Sequence, residues 1–133
     1  MNNNSNRNEN IFLIDLQLLA TFVFIISSII SYLLTYNEKR NLTGNRRIFT
    51  TKQTLDIAYY NRIAILVVVL ISLYVGYKNY QVQENDTRGK FKSGLLLSTN
   101  ILTLISAVII LYVSYLNRED QSLNITDVEN PLI

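Results

Sequence analysis

Few residues of this 133-residue chain could carry out chemistry, because the chain contains no Cys and no His. This composition excludes thiol nucleophiles, imidazole acid–base catalysis and disulfides, together with the usual zinc and haem ligands. Asp15 is the one carboxylate beside an apolar run. The net charge of +2 is too small to indicate nucleic-acid binding. We therefore expect no enzyme activity, no cofactor, no metal and no nucleic-acid partner.

Uncharged polar residues inside the apolar runs are the remaining candidates for function. A polar group in lipid must find a partner, so these positions mark helix faces that are not exposed to lipid. In the first run, Gln17, Thr21 and Ser28 share one helical face at 3.6 residues per turn. In the second run, Ser72 and Gly76 form a small-xxx-small pair. In the third run, Thr99, Thr103 and Ser106 share one face, with Asn100 beside them. Helix packing within the chain or an oligomer is the simplest interpretation, and a polar cleft or pore is the alternative.

Three apolar runs must hold these residues. Leu16–Asn37 has 22 residues without a charge, Ile63–Tyr77 has 15, and Ser93–Asn117 has 25. At about 1.5 Å per residue, the first and third cover a hydrocarbon core of roughly 30 Å. The sequence predicts an all-α integral membrane protein with three transmembrane helices in an up-down-up arrangement, with spans at about 13–36, 59–79 and 94–116.

The second span is the shortest, at roughly 22 Å between its flanking charges. We expect it to cross because Arg62 and Lys78 can extend their side chains toward the headgroups. All nine Tyr residues lie at predicted helix ends, as is typical of membrane interfaces. A soluble core helix or a buried strand is the competing interpretation of this run. The first run could also be a cleaved signal peptide, which would leave a two-helix hairpin.

Polar segments flank and connect the spans. Residues 1–10 are predicted to be a disordered polar tail, and residues 118–133 an acidic disordered tail, so that the membrane domain covers 11–117. In the first connection, Thr50 or Thr51 can cap a helix that begins near Lys52 and continues into the second span. Its first turns could lie along the membrane surface.

The distribution of Lys and Arg weakly predicts the orientation. Seven basic residues lie on the side of the first loop and the C-terminus, against five on the other side, which favours a cytoplasmic first loop and C-terminus. The seven are Lys39, Arg40, Arg46, Arg47, Lys52, Arg62 and Arg118, and the five are Arg7, Lys78, Arg88, Lys90 and Lys92. The abundance of Asn, Ile and Tyr indicates AT-rich coding, as in some viruses, protists and low-GC bacteria. A viral source would place the protein in a host or virion membrane.

Because the helices have polar faces but carry no catalytic groups, we expect a structural or assembly role. We expect the lipid bilayer as one partner, and self-association or another membrane protein as the second. In size, span number and charged tails the chain resembles three-span phage holins, which implies membrane permeabilisation or channel formation as an alternative. The position of Asp15 resembles the acidic residue early in the first helix of proton-coupled small exporters, which would imply a transport role.

Overall fold

Three long helices make up the computed structural model, which describes residues 3–82 and 87–120. They are α1 (Asn3–Leu42), α2 (Thr51–Val82) and α3 (Thr87–Asp120). Their 40, 32 and 34 residues give lengths of roughly 60, 48 and 51 Å. Each helix is long and apolar enough to cross a membrane, which confirms the predicted all-α fold with three candidate spans.

The helices alternate in direction, with α2 in the middle. Along α1 and α2, contacts run in opposite directions from Asn37–Thr54 at one end to Glu9–Lys78 at the other. Between α2 and α3, Asp56 meets Arg118 at one end of the pair. In the described ranges α1 packs on α2 and α2 packs on α3, whereas α1 and α3 do not pack on each other. The result is a curved layer of three antiparallel helices.

The first connection is a rigid turn between two capped helix ends. Gly44, with a φ of 79°, follows the end of α1, and the backbone N–H of Asn45 bonds the carbonyl of Arg40 at 2.8 Å. This is the Schellman arrangement, which needs a left-handed residue that glycine supplies without strain. Thr50 and Gln53 then exchange hydrogen bonds of 3.0 and 3.2 Å in a capping box. The predicted cap of α2 at Thr50 is therefore confirmed.

Asn37 joins this turn to the bundle. Its side chain is 1% exposed, and its Oδ1 accepts hydrogen bonds from the backbone N–H groups of Ile48 at 2.8 Å and Phe49 at 2.9 Å. Its Nδ2 donates to Thr54 Oγ1 at 3.3 Å. Next to it, Leu34 and Ala58 form a small apolar core between α1 and α2. The first turns of α2 therefore pack against α1 and continue straight into the span.

Arg62 differs from its sequence-based expectation. It is 4% exposed and lies inside the bundle, so its side chain does not extend to the headgroups. The central position of α2 explains this burial, because α1 and α3 both pack on α2. With Arg62 covered by neighbouring helices, the stretch of α2 that is available to cross a membrane extends over residues 57–77, between Asp56 and Lys78. Those 21 residues measure about 31 Å, so α2 needs no extended side chains to cross.

The ends of the chain also differ in part from expectation. Residues 3–10, predicted as a disordered tail, continue α1 as a helix, and the side chains of residues 4–10 are exposed. Helix propagation adds one hydrogen bond per residue once a nucleus exists, so a long apolar helix can extend through a polar neighbour. Residues 118–120 end α3. The predicted acidic tail at 121–133 lies outside the described residues, and its disorder stays a prediction.

Candidate functional site

A cleft runs between α1 and α3 with α2 as its floor. Its volume is about 470 Å³. On each helix, the residues that line the cleft recur at a spacing close to i, i+3, i+4 and i+7. This is the spacing of residues on one packed face of a helix. The lining residues are Gln17, Ala20, Thr21 and Phe24 of α1, Ile65, Val68, Val69, Ile71 and Ser72 of α2, and Asn100, Thr103, Ser106, Ala107 and Ile110 of α3.

The cleft brings together polar residues from all three predicted helix faces. Gln17 and Thr21 come from α1, Ser72 from α2, and the others from α3; the full set is Gln17, Thr21, Ser72, Asn100, Thr103 and Ser106. Sequence periodicity places each residue on a face of its own helix, and the fold turns these faces toward one groove. The groove lies at the level of the second apolar run, so its polar groups are at membrane depth.

The other candidates lie outside the cleft lining. Ser28 and Thr99 donate to the carbonyl groups one turn earlier, at Phe24 (2.9 Å) and Leu95 (3.0 Å). These bonds satisfy the hydroxyl groups within their own helices. Asp15 is exposed on α1 and is not part of the lining.

Gly76 of α2 lies directly against Asn100 and Leu97 of α3. A Cβ atom at this position would be 2.6 Å from Asn100 Nδ2. The same Nδ2 donates to the carbonyl of Ser72 at 3.2 Å. Gly76 therefore leaves room for an interhelical hydrogen bond, as small residues at membrane helix interfaces commonly do.

The polar groups of the cleft are only partly satisfied. Thr21 Oγ1 and Thr103 Oγ1 donate to the carbonyls of Gln17 and Thr99, each at 2.8 Å. Within residues 3–82 and 87–120, the side chains of Gln17 and Ser106 make no hydrogen bond, and both are exposed to the cleft. These uncharged donors and acceptors could bind a neutral hydrogen-bonding group, and they carry no charge suited to an ion.

A second polar cluster lies toward the first loop, and the sequence analysis missed it. Asn61 is 5% exposed, and its Nδ2 donates to the carbonyl of Ser27 at 3.2 Å and to Ser31 Oγ at 3.1 Å. Ser114 and Asn117 are buried on the adjoining part of α3. Asn61 shares a helical face with the buried residues Ala58 and Ile65. That periodicity is present in the sequence, but Asn61 lies next to Arg62, outside the uncharged run Ile63–Tyr77 that supplies the candidate residues.

At the edge of this cluster, Arg118 connects α3 to α2. Its Nε donates to Asp56 Oδ1 at 2.8 Å, and its guanidinium lies 4.9 Å from the ring centre of Tyr59 and 5.5 Å from that of Tyr60. Burial lowers the pKa of Arg118. The hydrogen bond to Asp56 and the negative charge of Asp56 raise this pKa by more than burial lowers it, so the net shift is upward. The ion pair and the aromatic rings together fix the first-loop end of the bundle.

In the described part of the chain, no group of three His, Cys, Asp or Glu residues could hold a metal ion. Comparison with protein-family models, with curated proteins and with solved structures gives no match. The function must therefore be argued from the cleft itself.

Proposed function

We propose that the protein is a small structural membrane subunit that self-associates, with α3 of a second copy packed in the cleft of the first. The cleft carries this proposal. Each of the three antiparallel helices contributes one row of side chains to the groove. In a four-helix bundle, a fourth helix would occupy the position of this groove.

The polarity of the groove supports a helix as the occupant. Gln17 and Ser106 expose uncharged donors and acceptors at membrane depth, where lipid chains offer no hydrogen bonds. A helix carrying hydroxyl or amide side chains would supply them. Such interhelical bonds contribute about 0.6 to 2 kcal/mol each, which is enough to favour one packing face over another.

Self-complementarity supports a second copy as the source of that helix. Thr103 and Ser106 present two hydroxyl groups of α3 to the cleft, and a hydroxyl group can both donate and accept. Two α3 helices related by a two-fold axis along the membrane normal could satisfy each other's hydroxyl groups. The helix α3 also has the most free surface: 6% of its most apolar window is buried, against 17% in α1 and 33% in α2.

A size increase inside the cleft tests the proposal. Ser106→Leu fills the groove, whereas Val108→Leu adds bulk at a similar depth on the opposite, exposed face of α3. Single-molecule photobleaching in lipid vesicles would measure the dimer fraction. We expect dimers for the wild type and for Val108→Leu, and dimerisation weakened about tenfold for Ser106→Leu, the equivalent of roughly 1.4 kcal/mol. A monomeric wild type would refute self-association and favour a different membrane protein as the partner.

The same cleft also favours a second candidate, membrane permeabilisation of the holin type. Several copies could close their polar grooves around a hydrated path, since the lining offers hydroxyl and amide groups from three helices. Release of an encapsulated dye from vesicles separates the two functions. Release that depends on Thr103 and Ser106 supports permeabilisation, and intact vesicles that contain dimers support the structural role.

Proton-coupled transport through Asp15 has less structural support, because this carboxylate is exposed and stands outside the cleft lining. That function requires Asp15→Asn to abolish a pH-dependent flux.

A further inference from the structure

The first connection carries a concentration of positive charge that the rest of the chain does not match. Residues 38–53 contain five basic residues and one acid, a net charge of +4. The second connection, residues 79–92, contains three basic and two acidic residues, a net charge of +1. The five basic residues of the first connection are Lys39, Arg40, Arg46, Arg47 and Lys52.

Within residues 3–82 and 87–120, none of these basic side chains forms an ion pair. Arg40 Nε donates to the carbonyl of Arg46 at 2.8 Å, and Arg47 donates to Thr51 Oγ1 at 2.6 Å. Both acceptors are neutral. Across residues 3–82 and 87–120, the ion pairs are Lys78–Glu9 and Arg118–Asp56, neither of which involves the first connection. The loop therefore presents a positively charged surface that can attract an anionic ligand.

Hydrogen bonds at both ends and in the middle of the loop restrain its backbone. Gly44 ends α1 in a Schellman turn, the Thr50 capping box begins α2, and Asn37 binds two backbone N–H groups between them. A rigid loop loses little conformational entropy when it binds a ligand, which favours affinity.

The loop also adjoins two segments that are apolar enough to cross a membrane. The uncharged run of α1 ends at Asn37, just before the loop, and Arg62 is the one charged residue of α2 between Asp56 and Lys78. Leu42 is 78% exposed and Ile48 is 50% exposed. Apolar side chains beside basic ones are typical of a segment that inserts into the membrane interface.

We propose that the first connection is a binding surface for the phosphate groups of anionic phospholipids. Guanidinium groups form paired, charge-assisted hydrogen bonds with phosphate oxygens, and the basic charges add long-range attraction to an anionic leaflet. Leu42 and Ile48 anchor the loop among the upper acyl carbons. This inference depends on the membrane fold and is independent of self-association.

A single fluorophore in the loop tests the proposal, because the chain contains no Trp. The full-length Ile48→Trp protein would be reconstituted in vesicles containing brominated phosphatidylglycerol or brominated phosphatidylcholine, and quenching would be compared. We expect stronger quenching by the anionic lipid, and a preference that weakens as salt is added. Equal quenching by the two lipids would overturn the proposal.

Matched charge removals locate the effect. In the Ile48→Trp background, Arg46→Gln with Arg47→Gln should reduce the preference for phosphatidylglycerol about thirtyfold. Lys90→Gln with Lys92→Gln removes the same charge from the other side and should leave the preference unchanged. Equal losses for the two pairs would show a general charge effect and overturn the assignment. A preference that emerges only after Asp127→Asn with Glu129→Gln would also overturn it, by identifying the acidic tail as the partner of the loop.

Discussion

Gly76→Ala tests the contact between α2 and α3. Gly94→Ala is its control, because it has the same general effect of replacing a glycine inside a helix. A Cβ at Gly76 would be 2.6 Å from Asn100 Nδ2, which no real Cβ contact tolerates. A Cβ at Gly94 would be 3.5 Å from the Tyr80 ring, an ordinary van der Waals distance. Both glycines lie inside helices, so Gly76→Ala and Gly94→Ala share the same gain in helix propensity and differ in the clash.

The expected difference follows from these distances. Replacing glycine by alanine in a helix interior stabilises it by about 1 kcal/mol. At Gly76 the Asn100 amide must also move by nearly 1 Å, and it then loses its bond to the Ser72 carbonyl. That bond contributes about 0.6 to 2 kcal/mol. Gly76→Ala should therefore be less stable than Gly94→Ala by about 1 to 2 kcal/mol.

Unfolding in mixed micelles, followed by circular dichroism as the fraction of dodecyl sulfate rises, measures both free energies. A double-mutant cycle with Asn100→Ala adds the decisive control. Without the Asn100 amide, Gly76→Ala should gain stability as Gly94→Ala does. If Gly76→Ala and Gly94→Ala have the same unfolding free energy in the wild-type background, the close approach of α2 to Asn100 is not present.

Three further predictions concern the first-loop end and the orientation. Asn37→Ala removes three hydrogen bonds and should lower the unfolding free energy by about 2 to 3 kcal/mol, whereas the exposed Asn45→Ala should change it by less than about 0.5. Asn61→Ala should lower the unfolding free energy by about 1 to 3 kcal/mol, and the exposed Asn79→Ala is its control. If both variants lower the unfolding free energy equally, Asn61 does not stabilise the contact between α1 and α2. In intact cells, a membrane-impermeant maleimide should label a cysteine at position 88 and not one at position 45.

The orientation prediction changes once Arg62 is assigned to the bundle. Without it, the first-loop side carries six basic residues against five on the other side, so the overall difference falls from two to one. The concentration of five basic residues in the first loop then carries most of the argument for its cytoplasmic position. Labelling at position 45 from outside the cell would contradict that position.

Sequence periodicity predicts what belongs to one helix and fails where several helices meet. The uncharged runs define three spans, and Thr50 with Gln53 marks the start of α2, because these features depend on local chemistry. Residue types alone do not reveal that Arg62 is buried, since a charge at this position indicates an interface unless neighbouring helices are known to cover it. Burial of that side chain depends on α2 being central, which is a property of the packing.

The candidate site shows the same limit. Helical spacing assigns Gln17, Ser72 and Thr103 to particular faces, but it does not show that these faces line one groove. Asn37 and Asn61 were not among the candidates, because each lies next to a charged residue, at or beyond the end of an uncharged run. Their importance comes from partners 11 to 34 residues away, including Ile48 and Ser27, and such distant pairs leave no pattern in a single sequence.

Cysteine cross-linking in the membrane tests the central claim most directly, because the chain contains no Cys of its own. Ser106→Cys places a thiol in the cleft, and Val108→Cys places one on the opposite face of α3 at a similar depth. Under mild oxidation in native membranes, Ser106→Cys should form a covalent dimer and Val108→Cys should remain monomeric. Cross-linking of Val108→Cys without cross-linking of Ser106→Cys would contradict the account, because the copies would then meet through the face turned away from the cleft.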